Sequence, residues 1–242
     1  MKYFIASDIH GSAYYCKKML EAWEKEEADR IVFLGDILYH GPRNPLPEAY
    51  NPKEVAAMLN PLADRIFCVR GNCDSEVDQM VLDFPILAEY CLIAENGHTV
   101  FITHGHHYNL DSQPLLQKGD VLLHGHTHVP ACTSTETFIY LNPGSVSLPK
   151  EDSHHSYMIL ENGMFQWKTL NGEVYNTYTI EKRILKKRIL FCNYCSFITM
   201  SIFCPAKRMP AWSNASFVRS IISARAFQNS SDFNQRRTQR AT

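Results

Sequence analysis

Tyr3-Phe4-Ile5-Ala6-Ser7-Asp8-Ile9-His10-Gly11 opens with a short aromatic and branched apolar run and closes on two metal-ligating residue types and a glycine. A run of this length, bounded by Gly, reads as a buried strand. Residues two apart in an extended chain share a face, so Asp8 and His10 are expected to project together from the strand's carboxyl end. A carboxylate beside an imidazole is half of a divalent-cation site.

The same ending recurs. Ile31-Val32-Phe33-Leu34 runs into Gly35-Asp36, Ile66-Phe67-Cys68-Val69 into Arg70-Gly71-Asn72-Cys73-Asp74, Val100-Phe101-Ile102 into Thr103-His104-Gly105-His106, and Val121-Leu122-Leu123 into His124-Gly125-His126-Thr127-His128. Sites in open α/β sheets assemble at the carboxyl edge of the strands, and endings this rich in Asp, His and Asn point to one shared site. Ser12 is placed to cap a helix with Cys16, Met19, Leu20 and Trp23 inward, and Asn51-Pro52 to start another with Val55, Met58, Leu59 and Leu62 inward. Between them, the Pro-rich loop from Gly41 to Tyr50 reads as a substrate wall. Beyond Asn72 the chain alternates short strands near residues 89–94, 98–103, 121–124, 138–141, 157–160 and 164–170. Glu95-Asn96-Gly97 and Glu161-Asn162-Gly163 are tight hairpin turns, because Asn-Gly supplies the positive φ they need. The first half is parallel βαβ and the second antiparallel or mixed.

The 242 residues have a net charge of −1 that conceals two different segments. Residues 183–242 hold eleven Lys and Arg against the single acid Asp232, a balance of +10, which leaves 13 basic and 24 acidic residues, −11, in residues 1–182. The folded domain is therefore placed at 1–182, and 183–242 reads as a basic, poorly ordered or non-native extension; the ligand-type endings are complete by His128, so the extension is expected to be dispensable for any chemistry they carry. Its apolar stretch 188–204 is interrupted by polar residues and too short for a membrane helix, and Cys192-x-x-Cys195 with Cys204 lacks a fourth zinc ligand. The remaining five of the eight cysteines follow no disulfide framework, and the chain begins at a strand without a signal-peptide pattern. Reduced thiols and a cytoplasmic location are expected, with no membrane association. A nucleic-acid partner is not expected, since residues 1–182 are acidic and show no aromatic-basic stripe; a homo-oligomer is as compatible as a single chain.

The ordered set D-x-H, G-D, G-N-x-D, T-H-G-H and G-H-T-H resembles the calcineurin-like metallophosphoesterases. The wider stretches Gly35–Asn44, Val69–Met80 and Leu141–Lys150 resemble the bacterial YfcE-type phosphodiesterases within them. The resemblance covers about residues 1–180 and implies an α/β fold of four layers, two facing mixed sheets flanked by helices. It implies hydrolysis of phosphodiesters by a hydroxide bridging two divalent metals, with Mn²⁺ the first choice and Fe, Zn, Ni or Mg as alternatives. Asp8, His10, Asp36 and His128 would hold one metal and Asp36, Asn72, His104 and His126 the other. The substrate would be a small-molecule phosphodiester. A phosphatase or nuclease of the same superfamily, and a partner-binding protein on the same fold, are the alternatives.

Cys73 departs from the pattern, since many relatives carry His after the Asn of G-N. Leaving-group protonation would then fall to Cys73 itself, His106, Asp74 or water, unless Cys73 only packs. Asp74 reads equally as a helix cap. Arg43 and Asn44, in the loop after the shared carboxylate, are the substrate-binding candidates, and Arg70 reads as a solvated charge. His40, His98, His124, His154 and His155 read as ordinary surface or core residues, and His107 stays unassigned.

Overall fold

The computed structural model describes residues 1–183. Two mixed sheets form it. The first has the order β11-β10-β9-β1-β2-β3, from β1 (Tyr3–Ala6), β2 (Arg30–Phe33), β3 (Ile66–Cys68), β9 (Ser156–Glu161), β10 (Met164–Thr169) and β11 (Val174–Thr179). The second has the order β4-β5-β6-β8-β7, from β4 (Tyr90–Glu95), β5 (His98–Thr103), β6 (Asp120–Leu123), β7 (Ala131–Ser134) and β8 (Phe138–Asn142). β1, β2 and β3 are mutually parallel, as are β5, β6 and β8, so each sheet presents a run of carboxyl ends at one edge.

Strand alternation sorts the core. Ile5, Val32, Val121, Leu123, Ile139 and Leu141 meet between the sheets with Met158, Phe165 and Trp167. Phe4, Ala6, Ile31 and Phe33 face the other way, onto α1 (Ala13–Glu26) and α2 (Pro52–Leu59). The outer residues of the second sheet, Phe101, Leu122, Phe138 and Tyr140, are covered by Tyr108 and Leu116. Where four layers put helices on that face, the described residues put a loop.

The local signals behave as their chemistry requires. Ser12 caps α1, its hydroxyl accepting from the Tyr15 amide at 3.2 Å, and Asn51 caps α2 ahead of Pro52. Asn96 (φ 51°) with Gly97 (φ 81°) turns β4 into β5, and Asn162 (φ 51°) with Gly163 (φ 80°) turns β9 into β10. β7 and β11 are additions to the sequence reading; both are edge strands. Among the described residues no helix is long and apolar enough to cross a membrane, and Cys16, Cys68, Cys73, Cys91 and Cys132 are all free. The expected extension lies outside the described residues except for Arg183. That residue bonds to the folded part, its backbone N–H donating to the Asn96 carbonyl (2.8 Å) and its guanidinium reaching Asp120 (3.0 Å).

Candidate metal centre

Asp8 and His10 follow β1, Asp36 follows β2, Asn72 follows β3, His104 follows β5, and His126 and His128 follow β6. The backbone at this edge is not extended. Asp8 (φ 60°), His10 (φ 50°), Asp36 (φ 56°), His126 (φ 65°) and His128 (φ 64°) are all left-handed, a region that costs an L-residue about 1 kcal/mol or more. The strand-alternation argument for Asp8 and His10 is thereby corrected: they converge because the chain curls at each of them. The Asp8, His10 and Gly11 amides donate to the Gly35, Asp36 and Ile37 carbonyls at 3.2, 2.9 and 2.8 Å, which lays the first two loops side by side. Gly71 and Gly125 allow the remaining loops to close in, since a Cβ on the first would run into the Asp36 carboxylate and on the second into the Ser7 hydroxyl.

All seven side chains converge across the two sheets. His128 Nε2 lies 3.3 Å from Asp8 Oδ1, and His10 Nε2 lies 3.6 Å from the same oxygen. Asp36 Oδ2 sits 3.7 Å from His10 Nε2 and 3.4 Å from His104 Nε2, between the two halves of the cluster. His104 Nε2 in turn lies 3.0 Å from Asn72 Oδ1 and 3.2 Å from His126 Nδ1.

This arrangement fits cations. His10, His104 and His128 place Nδ1 against the carbonyls of Tyr39 (2.9 Å), Leu34 (2.6 Å) and Leu148 (2.6 Å). A carbonyl only accepts, so each neutral ring donates through Nδ1 and carries its lone pair on Nε2. His10 Nε2 then faces His128 Nε2 at 3.2 Å, lone pair against lone pair, and His104 Nε2 faces the Asn72 oxygen in the same way. Buried Asp8 Oδ1 has no hydrogen-bond partner. Acceptors crowd at such distances only around positive charge, and ligand atoms about 3–3.5 Å apart are what metal bonds of about 2.1 Å produce. Protons can substitute in part. Burial lowers the pKa of His104, but the hydrogen bond and charge of Asp36 overcome it and lift the value to about 9. Burial opposes ionisation of Asp8 and Asp36 as well, yet the imidazoles of His10 and His128 beside the one, and of His104 beside the other, hold both below the usual carboxylate range.

The remaining candidates take distinct positions. Asp74 is buried and caps no helix, since Ser75 is the N-cap of α3 (Glu76–Gln79). Its carboxylate accepts from the amides of Asp36 (2.8 Å), Ile37 (2.9 Å) and Gly71 (2.7 Å), fixing the loop that carries Asp36. Burial, then the Asp36 charge, raise its pKa to about 6 despite those donors. Cys73 donates its amide to Asp36 Oδ1 (2.8 Å), and its thiol lies within 4.8 Å of ligand atoms of His10 and Asp36. Burial and the Asp36 charge push that thiol far up, so it stays protonated. The His106 ring stands 5.4 Å from His104 and 4.0 Å from His107, whose Nδ1 meets Glu89 at 2.8 Å. Burial and the neighbouring His104 and His107 lower the His106 pKa to about 4. Arg43 and Asn44 line a cleft of about 740 Å³ with Asp36, Asn72, Cys73, His126 and His128. Asn44 also donates to the His40 carbonyl (2.9 Å), shaping its own loop. Arg70 pairs with Glu76 at 3.5 Å.

Sequence reasoning gave no role to several residues that this geometry uses. Asn142 donates to Gly125 O (2.9 Å) and Thr127 Oγ1 (3.0 Å), bracing the loop of His126 and His128. Ser145 and Ser147 hydroxyls donate to the Asp8 carbonyl at 2.9 and 3.0 Å, and Lys150 lines the cleft beside Arg43. The available signal was the stretch Leu141–Lys150, whose likeness to relatives carried no chemistry of its own.

Carboxylates and imidazoles gathered from the carboxyl ends of two facing sheets form a candidate centre for divalent metal. Residues 1–163 match the Calcineurin-like phosphoesterase superfamily domain, and the chain belongs to that superfamily. It is 45% identical over 173 residues to Phosphodiesterase YfcE of Escherichia coli strain K12, covering 72% of this chain and 94% of that protein. It is 26% identical to the Probable metallophosphoesterase YsnB of Bacillus subtilis over 66% of this chain and 83% of that one. The solved structure of Yfce, described as a phosphoesterase from E. coli, superimposes with a TM-score of 0.72 at 42% identity, covering 75% of this chain and all of that one.

Proposed function

We propose that the chain is a metal-dependent phosphoric diester hydrolase whose seven ligands hold two divalent cations, with Mn²⁺ the preferred metal and Asp36 shared between the sites. The observation that carries the reading is the set of facing lone pairs, His10 against His128 and His104 against Asn72, with Asp36 Oδ2 between them. The 45% identity to a named phosphodiesterase supports the diester as substrate class. Bound divalent cations supply charge neutralisation at the phosphoryl oxygens and a deprotonated water at neutral pH.

The protein's own groups set up the rest. Leu34, Tyr39 and Leu148 carbonyls fix the histidine tautomers, so that lone pairs point at the centre without reorganisation. Asp74 holds the Asp36 turn in place through three amides. Arg43 and Lys150 face the cleft and attract a phosphate anion. His106, with its low pKa, is neutral at pH 7 and holds no imidazolium proton to give to the leaving oxygen. The Cys73 thiol holds its proton tightly, which leaves departure of the ester oxygen dependent on that oxygen's own acidity. The five cysteines among the described residues are all free, consistent with a reducing, cytoplasmic setting.

The test is metal analysis and a substrate panel on the same preparation. After Mn²⁺ reconstitution two metals per chain are expected, with hydrolysis of aryl diesters exceeding that of the matched monoesters. One metal at saturation, or monoesters turned over faster than diesters, overturns the proposal.

A further inference from the structure

Two hollows meet at the metal centre, and Asn72 and Cys73 stand in the wall of both. One is the cleft of about 740 Å³ that carries Arg43 and Lys150; the other, of about 640 Å³, is lined in part by Tyr39, Pro42, Tyr50, Arg70, Val77 and Asp78. Each is of the size that accepts a small ligand or a large part of one.

Their charge differs. Among the described residues the ion-paired lysines and arginines are Lys2, Arg70, Lys168 and Arg183, so Arg43 and Lys150 stand in the first hollow uncommitted. The only carboxylate lining that hollow is the metal-ligating Asp36; Glu151 and Asp152, next to Lys150 in sequence, do not line it. The second hollow has its one cation, Arg70, paired with Glu76, and carries the carboxylates of Asp74 and Asp78. Asp78 is occupied by the Ser75 amide (2.8 Å) and hydroxyl (2.7 Å). A second anion therefore gains by lying in the first hollow and loses by lying in the second.

The second hollow offers rings instead. Tyr39, 42% exposed, meets His40 edge to face at 4.8 Å, and His40 meets Tyr50 in the same way at 5.1 Å. The Tyr39 carbonyl accepts from His10 Nδ1 (2.9 Å), and the Tyr50 ring packs on Gly11, immediately after that ligand. This aromatic ledge is thus anchored at both ends to the turn that carries His10, and its distance from the metal centre is fixed by the same bonds that orient the ligand.

We propose that the substrate is an asymmetric phosphodiester: a planar ring on one arm rests against Tyr39 and Tyr50, and a second anionic group on the other arm is held by Arg43 and Lys150. The inference rests on the phosphodiesterase reading and deepens it by naming the substrate class. Ring stacking and apolar contact favour the first placement. The second follows because a diester carries a single charge, whereas this cleft presents two cations beyond those at the centre.

Two aryl diesters decide the matter, p-nitrophenyl methyl phosphate and p-nitrophenyl 2-carboxyethyl phosphate, which share the ring arm and differ in the second charge. The metal-reconstituted protein should show kcat/KM about tenfold higher for the carboxyethyl ester, as charge pairing of about 1.4 kcal/mol gives. The double variant Arg43→Met, Lys150→Met should bring that ratio near one. Tyr39→Leu and Tyr50→Leu should raise KM for both esters together and leave the ratio in place. Calorimetric Kd values for the methyl and carboxyethyl monoesters of 4-nitrobenzylphosphonate, whose ring arm cannot be cleaved and whose remaining ester has a poorly departing alkoxide, provide the same ratio with turnover suppressed. A ratio of one in the native protein, or one that survives the double variant, overturns the asymmetry. Failure to hydrolyse either ester overturns instead the phosphodiesterase reading, and the phosphonate ratio still decides the asymmetry on its own.

Discussion

Two corners of this molecule bury charge, and they do so in opposite ways. At the end of α1, Glu26 accepts from the Tyr157 hydroxyl (2.8 Å), Lys168 Nζ (2.7 Å) and Lys2 Nζ (3.0 Å), with its side chain 10% exposed. Opposite charges meet there, both carboxylate oxygens have donors, and none of these four residues has a left-handed backbone. At the carboxyl edge of the sheets, Asp8 Oδ1 has no partner, imidazole lone pairs face each other, and five of the candidate ligands are left-handed. A structural ion cluster completes itself within the chain. A ligand site is left incomplete and strained, and the rest of the fold must hold it.

The difference is broken most severely at Asp36. Asp36→Asn should lower kcat/KM on the order of a thousandfold or more, beyond Asn72→Ala or His128→Ala, because the shared oxygen serves both halves. Equal losses across the three, measured beside metal content, would remove the case for sharing.

Removing metal should distinguish the two corners directly. A cation held at 100 times its Kd stabilises the fold by about 2.7 kcal/mol, so chelation should lower Tm by several degrees, roughly 5–10 °C for a domain of this size. Glu26→Gln should lower Tm with and without chelator but leave the chelator-induced drop unchanged. A chelator effect lost in Glu26→Gln would show that the corners are coupled.

Asp74→Asn sharpens the contrast from the side of the site. One oxygen and its amide contacts persist, so the fold should survive, while metal affinity falls about 10- to 100-fold through the misplaced Asp36 turn. A stability loss with unaltered metal Kd would make Asp74 a packing residue only.

The pH behaviour of the Glu26 corner is smaller and signed. Burial raises the pKa of Glu26, but hydrogen bonds from Lys168, Lys2 and Tyr157 reverse the sign and depress it. A depressed carboxylate contributes stability that is fully present above its unfolded pKa of about 4.3 and lost as pH falls through the folded value. Glu26→Gln should therefore cost about 1–3 kcal/mol at pH 7, a difference that shrinks below pH 4. Denaturant unfolding at several pH values measures it, and a constant difference contradicts the linkage.

Cys73→His is the finest probe. An imidazole in place of a thiol that holds its proton should flatten the dependence of log kcat/KM on leaving-group pKa across aryl diesters, with changes of about tenfold at the poorest leaving groups. Parallel slopes assign Cys73 to packing.

Residue order alone pointed to the strands with a buried face and to the seven candidate ligands, though not to Asn142, Ser145, Ser147 or Lys150 around them. Alternating or continuous apolar runs such as Phe4-Ile5 and Val121-Leu122-Leu123 have one conformation that buries them, and Asn-Gly dictates its turn. β7 and β11 were invisible because they are mostly exposed edge strands, Ala-Cys-Thr-Ser and Val-Tyr-Asn-Thr-Tyr-Thr, whose contact with the core through Ala131 and Tyr178 is too slight to impress a period on the sequence. They form because a neighbouring strand offers its backbone. The left-handed curl at Asp8, His10, Asp36, His126 and His128 was equally beyond reach, since local preference opposes it and backbone bonds to the Gly35, Asp36 and Ile37 carbonyls and similar cross-loop contacts sustain it. Tertiary structure likewise decided that Asp74 serves backbone amides, that Lys150 joins Arg43, and that two hollows of unlike charge flank Cys73. Each depends on residues far apart in sequence being set side by side, and no local pattern carries that information.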